Sequence, residues 1–294
     1  MINIDNFHSD LDKISVAESK KCDIEELIHI LPTNSSLTIL SQNIRSITCN
    51  MSNFLTLLQR SKISWDVLVL SECWLSRNKN IPIIEDYNHA ATSTHKTQNE
   101  GVVIYYKNNL KVSVEEPVVC DANCLLLKIE QNTCILGIYR PPGQRSTTDF
   151  LNSINILLNS LNNFNNIILC GDINIDIIED STDSRSFEYL NTLASHRILP
   201  GHVFPTHGKT CLDHMMVKTK LEATCVVAET TVTDHESVAI SINLSTKIRN
   251  PVSYTYKSLD YVSLDKAVGG INFQDILLTN DVDAATDFGL ENLH

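Results

Sequence analysis

Two short polar motifs that follow apolar, strand-like runs constrain this chain most. Gly171-Asp-Ile-Asn174 directly follows the run 166–170, and Thr233-Asp-His235 comes shortly after the run 224–228. Short apolar runs bounded by turn residues predict buried strands, so each strand delivers polar side chains to the edge of a sheet. Asp172 and Asn174 flank Ile173 and share one side of an extended backbone. Carboxylate, carboxamide and imidazole groups together are what metal-assisted attack of water on a phosphate ester requires.

The order of predicted elements indicates a layered fold. One hairpin is predicted between 101–106 and 112–114, joined by the turn formers 107–109, and a second between 124–129 and 134–139. Hairpins alternating with separate helices favour mostly antiparallel sheets over a doubly wound parallel sheet. We therefore predict an α/β chain of the α+β type, a four-layer sandwich of two mostly antiparallel β-sheets flanked by helices. Further predicted strands are 37–42, 66–70, 166–170, 212–217, 224–228 and 237–244; predicted helices are 24–31, 51–60, 147–161 and 184–196.

The chain divides into three predicted regions. Residues 1–35 form a polar N-terminal extension, 36–246 the layered domain and 247–294 a linker or tail. We expect an intracellular protein, nuclear if active and without a membrane partner, because no apolar leader is present and no apolar run approaches the roughly 20 residues of a membrane span. The nine cysteines form no Cys-x-x-Cys pair, which indicates buried, reduced thiols rather than disulfides.

The acidic charge argues against one class of nucleic-acid-binding protein. A net charge of −12 and a pI near 5.2 argue against a protein that coats nucleic acid through bulk positive charge. They do not exclude a nuclease, because a bound metal offsets local carboxylates and a few cations on one face can hold a phosphate backbone.

Other polar residues stand at predicted strand ends. Glu72 directly follows an apolar strand, where a hydrogen-bonded cap and a metal ligand fit equally well. Asn43 is typical of an ordinary strand end, and Tyr139-Arg140 before two prolines is typical of a rigid turn. Asp213 lies within an apolar run, so it needs a partner, and a histidine is the natural one.

A zinc site is the alternative to an oxygen-ligated metal. His207, Cys211 and His214 offer zinc-type donors, but their spacing is not that of a standard zinc motif. Carboxylates at strand ends offer oxygen ligands instead, which hard cations prefer.

These residues lie in motifs that resemble the endonuclease/exonuclease/phosphatase superfamily, in the form found in the apurinic-endonuclease-like domain of animal non-LTR retrotransposons. The resemblance covers roughly residues 37–244 and implies a DNase I-like fold, Mg²⁺ or Mn²⁺ as cofactor, DNA as partner and DNA nicking as the activity. The motifs are Ser41-Gln-Asn-Ile-Arg-Ser46, Leu68-Val-Leu-Ser-Glu-Cys-Trp-Leu75, Gly137-Ile-Tyr-Arg-Pro-Pro142, Leu169-Cys-Gly-Asp-Ile-Asn-Ile-Asp176, Pro205-Thr206, Cys211-Leu-Asp-His214 and Thr233-Asp-His235.

The resemblance implies catalytic roles for five residues. Asp172 would position or activate the attacking water, and Asn174 would hydrogen-bond the scissile phosphate. His235, oriented by Asp213, would contact the phosphate or transfer a proton, so Asp172 and His235 both remain candidates for the general base. Tyr139 would contact a phosphate oxygen or the leaving group.

Metal and substrate contacts are implied for further residues. Glu72 would be the main Mg²⁺ ligand, with Asn43 supporting the cluster and Asp234 on the same acidic side. The implied substrate-binding residues are Arg140, Thr206 and Arg45.

Three positions depart from the pattern of relatives. Arg45 stands where some relatives have Asp, which predicts a leaner metal site. His207 stands where relatives often have Arg, which predicts a weaker or pH-dependent phosphate contact. Glu100 replaces the first residue of a frequent Gly-Gly pair.

Two other functions remain open. A phosphoinositide phosphatase or sphingomyelinase of the same fold shares the Asp-x-Asn and Asp-His endings, and a vestigial, non-catalytic binding protein would fit the acidic charge. Retrotransposon proteins continue into a reverse transcriptase, for which 294 residues leave no room. A truncated element, a derived host gene and an incomplete gene model are all compatible with that length.

Overall fold

A computed structural model describes residues 18–32, 36–75, 80–94, 96–130, 132–143, 147–178 and 184–244. The predicted tail 247–294 lies outside these residues. The strands are β1 (Glu18–Asp23), β2 (Ser36–Asn43), β3 (Val67–Ser71), β4 (Tyr87–Ala91), β5 (Val103–Lys107), β6 (Val112–Glu115), β7 (Asn123–Ile129), β8 (Thr133–Tyr139), β9 (Asn166–Asp172), β10 (Leu199–Pro200), β11 (Asp213–Lys218), β12 (Ala223–Glu229) and β13 (Ser237–Asn243).

The strands form two sheets. One has seven strands in the order β1-β12-β13-β2-β3-β5-β4, and the other has six in the order β10-β11-β9-β8-β7-β6. Neighbouring strands run antiparallel except in the pairs β1–β12, β2–β3 and β8–β9. The predicted sandwich of two mostly antiparallel sheets is confirmed.

Helices cover the outer face of each sheet. The helices are α1 (Leu27–Ile30, after a 3₁₀ turn at Ile24–Glu26), α2 (Ile47–Ser61), α3 (Thr147–Ser160) and α4 (Ser184–Ser195). Helix α2 buries Ile47, Met51, Phe54 and Leu57, a spacing that makes one apolar stripe. That stripe packs on the seven-stranded sheet, while α3 and α4 pack on the six-stranded sheet. A third apolar cluster fills the space between the sheets, which completes four layers.

The structure corrects one predicted hairpin. The pairing of 124–129 with 134–139 is confirmed as β7–β8. The pairing of 101–106 with 112–114 is wrong, because β5 lies between β3 and β4 while β6 pairs with β7 in the other sheet. The chain therefore crosses between the sheets at this turn.

The residues before 36 contribute a strand that the sequence analysis did not predict. Strand β1 runs parallel to β12, with Glu18 opposite Thr224 and Asp23 opposite Glu229. The predicted helix 24–31 is shorter than expected and begins as a 3₁₀ turn. No helix within the described ranges is long and apolar enough to cross a membrane. All nine cysteines are free thiols, and only Cys49 and Cys120 are exposed.

Candidate active site

Both sheets contribute to one polar cluster at the same edge of the sandwich. Asn43 ends β2, and Glu72 follows the adjacent parallel strand β3, in which Ser71 lies opposite Asn43. In the other sheet, Asp172 ends β9 and lies directly opposite Asp213, the first residue of β11. Strand pairing thus fixes the backbone positions of four polar residues.

The carboxamide of Asn43 links the two sheets. Its Nδ2 donates hydrogen bonds to Oε2 of Glu72 and to Oδ2 of Asp172, both at 2.9 Å. Its Oδ1 accepts from the backbone N–H of Arg45 at 3.1 Å, and this network sets which way the amide points. Asn43 was predicted as a residue that supports the metal cluster, and its amide positions two carboxylates by donating to both.

The loop that carries Glu72 has an unusual backbone. Glu72 and Trp74 have φ values of 52° and 54°, and Arg45 and Ser46 have 41° and 82°. Left-handed conformations at non-glycine residues cost free energy and persist where surrounding contacts fix them. Here the N–H of Ser46 donates to the carbonyl of Glu72 at 2.9 Å, and the indole of Trp74 donates to Oε1 of Glu72 at 3.1 Å. The Glu72 carboxylate is therefore oriented by the Asn43 amide and the Trp74 indole, and it remains half-buried.

The turn after β9 holds Asp172 and Asn174. The Asp172 side chain is 1 % exposed, and its Oδ1 accepts from the N–H of Asn174 at 3.1 Å. The Asn174 amide donates to the carbonyl of Arg140 at 2.9 Å. Burial, followed by the charge of Asp213, raises the pKa of Asp172 well above its ordinary value. Asp172 is therefore a carboxyl group with an elevated affinity for protons.

A glycine permits this turn. Gly171 has φ of +126°, and a Cβ built on it would lie 2.0 Å from the carbonyl oxygen of Ile138. Only a residue without a side chain allows β9 to approach β8 this closely while turning Asp172 into the site.

His235 and Asp213 form a buried pair. Nδ1 of His235 lies 2.8 Å from Oδ2 of Asp213, and the two side chains are 9 % and 3 % exposed. Burial alone lowers the pKa of His235, but the hydrogen bond and charge of Asp213, with the charges of Asp172 and Asp234, outweigh burial and raise it to about 9. A pKa of about 9 favours the protonated imidazole at neutral pH, and His235 is the histidine that pairs with Asp213.

Asp234 belongs to the rim. Its Oδ1 accepts from Nη1 of Arg45 at 2.8 Å, and its Oδ2 lies 3.5 Å from Nε2 of His207. The His207 ring stacks on the His235 ring with centroids 4.5 Å apart. Within the described residues, ligand-type side chains meet in two groups of three, Asp172-Asp213-His235 and His207-Asp234-His235, and Glu72 is in neither. Asp234, predicted as a metal residue on the same acidic side as Glu72, thus lies close to two histidines.

These residues border a cleft of about 490 Å³. Its lining residues are Arg45, Glu72, Thr97, Asn99, Glu100, Tyr139, Pro141, Pro142, Asp172, Asn174, His207, Leu212 and His235. Tyr139, predicted to contact the phosphate or leaving group, lines this cleft and is 3 % exposed. The lining of the cleft therefore combines anionic and cationic groups with tyrosine and proline side chains.

Two predicted substrate contacts are buried. Arg140 is 2 % exposed and its guanidinium lies 5.3 Å from the centre of the Phe150 ring. Thr206 is 1 % exposed, and its hydroxyl accepts from the backbone N–H groups of Leu212 and Asp213 at 3.1 and 3.0 Å. Both residues lie beneath the loops around the site and support them. Of the three predicted substrate-binding residues, only Arg45 is among those that line the cleft.

The zinc-type donors do not converge. The His214 ring is fully buried, with Nδ1 3.1 Å from the hydroxyl of Tyr189 and Nε2 near the carbonyls of Ile175 and Cys211. His207 instead faces Asp234. The hydrogen bonds of His214 are those of a buried structural histidine, so the alternative of a His207-Cys211-His214 site is not supported.

Sequence reasoning did not identify some residues that line the cleft or orient its side chains. Trp74 orients Glu72, and its position two residues after a candidate ligand was the available signal. Thr97 and Asn99 line the cleft from a loop without a hydrophobic pattern, so no signal in the sequence places them there.

The donor set suits a divalent cation. Glu72 presents an oriented, half-buried carboxylate. The Asn43 amide donates hydrogen bonds both to this carboxylate and to that of Asp172. Hard cations such as Mg²⁺ take oxygen ligands and keep several waters, so one or two protein carboxylates suffice. The buried Oδ1 of Asp213 accepts no hydrogen bond within the described residues, which leaves the site with more negative charge than its own donors satisfy.

Comparison with known proteins agrees with the fold. No curated protein matches the sequence significantly. An endonuclease/exonuclease/phosphatase family protein from Leptotrichia buccalis has a similar structure, with a TM-score of 0.54, 17 % identity, and coverage of 70 % of this chain and 99 % of that one. A conserved protein of unknown function from Enterococcus faecalis has a TM-score of 0.44, 13 % identity, and coverage of 70 % and 98 %. The first of these supports the fold.

The family itself is identified by sequence. The profile of the Endonuclease/Exonuclease/phosphatase family matches residues 40–235, which is most of the chain and includes every residue of the cluster from Asn43 to His235. The chain therefore belongs to the endonuclease/exonuclease/phosphatase family of hydrolases.

Proposed function

We propose that this protein is a divalent-metal-dependent phosphodiesterase that nicks DNA. The observation that carries the proposal is the Asn43 bridge, which holds the carboxylates of Glu72 and Asp172 on one side of a cleft that His235 also borders. A carboxylate for a metal, a second carboxylate for water and an imidazolium are the groups needed for in-line displacement at a phosphodiester.

The metal is proposed to bind at Glu72, with Mg²⁺ as the natural ion and Mn²⁺ as a substitute. When bound, such a cation neutralises charge on the phosphate and makes water more acidic. Trp74 and Asn43 hold the Glu72 carboxylate in place, so little reorganisation is required when the ion arrives.

The side chains divide the proton chemistry between them. His235 is already protonated at neutral pH, so we assign it the role of donating a hydrogen bond to the phosphate and stabilising charge there. Asp172, with its raised pKa, is the group that can accept a proton from the attacking water. The choice of general base thus favours Asp172 over His235. Asn174 and Tyr139 border the same cleft and would orient the phosphate.

DNA is favoured as substrate by the rim. The turn at 207–210 carries the exposed Lys209, and Arg45 borders the cleft. Cations on a rim position a phosphate backbone without reading its sequence. The acidic chain as a whole predicts weak binding that falls steeply with salt. The retrotransposon-like motifs quoted above support an origin in a mobile element.

A plasmid assay tests this proposal. Supercoiled plasmid incubated with the protein and Mg²⁺ is expected to become open-circular, and EDTA is expected to prevent the conversion. Release of phosphate from inositol phosphates without any nicking would replace the proposal with a phosphatase of the same fold. Absence of hydrolysis of both substrates, with Mg²⁺ and with Mn²⁺, would indicate a non-catalytic protein.

A further inference from the structure

The rim of the cleft contains a second set of metal-type ligands, distinct from Glu72. The ligand atoms of His207, Asp234 and His235 all lie within 4.8 Å of one another. We infer that these three residues bind a transition-metal dication such as Zn²⁺, and that the bound ion removes His235 from its role at the phosphate.

The distances fit a shared ion better than a direct contact. Nε2 of His207 and Oδ2 of Asp234 are 3.5 Å apart, longer than a good hydrogen bond. Two ligands held about 2.0–2.1 Å from a tetrahedral ion lie roughly 3.4 Å from each other. The Arg45 guanidinium occupies only Oδ1 of Asp234, so Oδ2 remains directed at His207.

The third ligand, His235, is held in orientation by Asp213. Nδ1 of His235 bonds to that carboxylate at 2.8 Å, so Nε2 is the ring nitrogen that can bind a metal, and the proton that Nε2 carries at neutral pH is released when the ion binds. A carboxylate behind the imidazole is the usual arrangement for a metal-binding histidine, because it fixes the ring and strengthens the ligand.

The two loops that carry the ligands are tied together. The N–H of Glu236 donates to the carbonyl of Thr206 at 2.8 Å, which joins the His235 loop to the His207 turn. The turn itself is closed by reciprocal backbone bonds between His207 and Thr210, both 3.0 Å. Ligands on loops fixed in this way need little rearrangement to meet one ion.

The donor types select the metal. Two imidazoles with one carboxylate suit Zn²⁺ and its neighbours in the transition series, whereas Mg²⁺ prefers oxygen ligands. Three protein ligands leave a fourth position open to water or to a phosphate oxygen. The inhibitory consequence rests on the proposed function, because it requires His235 to act on the phosphate; the binding itself does not.

Binding is tested with Co²⁺ as a spectroscopic probe. The two exposed thiols are first removed as Cys49→Ser and Cys120→Ser, and Co²⁺ is titrated in the presence of excess Mg²⁺. We expect visible absorption bands of nitrogen- and oxygen-ligated Co²⁺ at one equivalent. His207→Ala and Asp234→Asn should each weaken Co²⁺ binding at least tenfold. Glu72→Gln and the exposed-histidine control His89→Ala should leave it within twofold.

These outcomes distinguish Co²⁺ binding at the rim from binding at Glu72 or at an exposed histidine elsewhere. Absence of bands, bands that persist in His207→Ala or Asp234→Asn, or bands lost in Glu72→Gln would each overturn the inference. Zn²⁺ should also inhibit nicking, with a half-inhibitory concentration at least tenfold higher in His207→Ala, each variant compared with its own zinc-free rate. If the protein nicks no DNA, the proposed function fails, while the Co²⁺ titration still decides whether the site exists.

Discussion

The imidazole of His235 donates from Nδ1 to a carboxylate oxygen of Asp213 across 2.8 Å, with both side chains almost fully buried. The pair joins the loop before β13 to the first residue of β11, so it connects the two sheets at the cleft. Because the pKa of His235 is raised to about 9, the pair is an imidazolium–carboxylate pair at neutral pH.

His235→Ala should reduce nicking by at least about 100-fold, because it removes the cation that faces the phosphate. Asp213→Asn should reduce it less, because the imidazole remains and loses only its orientation and part of its charge. Nicking rates and duplex affinity, the latter by fluorescence anisotropy in EDTA, measure both effects. If affinity fell in proportion to rate in both variants, these residues would be structural supports rather than catalytic groups.

Asp172→Asn should separate activity from stability. We expect nicking to fall at least about 100-fold, because the proton acceptor is lost. The free energy of unfolding should stay within about 1 kcal/mol of the original, because relief of the charge beside Asp213 offsets one lost hydrogen bond. Urea unfolding at pH 7 checks the second part, and a large loss of stability would mean that the carboxylate has a structural role.

Stability should fall in mild acid because of two buried histidines. Burial lowers the pKa of His202 and of His214 to about 4. Between the ordinary histidine pKa of 6.5 and about 4, the unfolded rings bind protons and the folded rings do not, so the free energy of unfolding decreases as pH falls, by up to about 3 kcal/mol per ring.

The variant His202→Leu isolates this effect, because Nε2 of His202 has no hydrogen-bond partner within the described residues. Urea unfolding of the variant should show a shallower decrease in stability between pH 6.5 and 4 than the original protein. Equal slopes in the two proteins would show that His202 does not resist protonation in the fold.

Gly171→Ala should disrupt the site turn. The new Cβ would lie 2.0 Å from the backbone carbonyl of Ile138, which cannot move without breaking the β8–β9 pairing, so we expect a loss of roughly 3–5 kcal/mol. Gly143→Ala is a matched control, because Gly143 has nearly the same φ of +127° but no atom within 4 Å of a built Cβ. The control should lose about 1–2 kcal/mol from backbone strain alone. Equal losses in thermal or urea unfolding would exclude the steric argument.

The elements that sequence predicted well are those with a strong internal pattern. Helix α2 and strand β9 are recognisable from the spacing of their own apolar residues. The wrong hairpin shows the limit of such patterns. The turn after β5 contains good turn formers, but the N–H of Lys107 donates to the carbonyl of Asp66, far away in sequence. Pairing of β5 with β3 is a tertiary choice that local turn residues do not encode.

The missing strand β1 has a related cause. Its sequence, Glu-Ser-Lys-Lys-Cys-Asp, has no apolar alternation, because it lies at the edge of its sheet and exposes most of its side chains. Charged residues are common on edge strands, where they discourage pairing with other chains. Such strands are stabilised by backbone pairing, which leaves little signal in composition.

The site was predictable where polar residues end apolar strands. Asn43 and Asp172 converge for that reason, and Asp213, predicted within an apolar run, begins the strand that pairs with β9 opposite Asp172. Sequence could not tell which polar side chains turn outward. Arg140 follows an apolar strand as the others do, yet it is buried, as is Thr206, which the family resemblance alone had indicated. The direction of a side chain at a strand end depends on the turn that follows, and the sequence motif alone does not determine it.

The central claim is that Glu72 holds the metal that hydrolysis requires, and the initial rate of plasmid nicking tests it most directly. We expect Mg²⁺-dependent nicking by the original protein and a fall of at least about 1000-fold in Glu72→Ala at every Mg²⁺ concentration. Glu130→Ala, which removes an exposed carboxylate paired with Lys111, should retain the original rate. Nicking by Glu72→Ala at near the original rate, still abolished by EDTA, would contradict the account by placing the metal elsewhere.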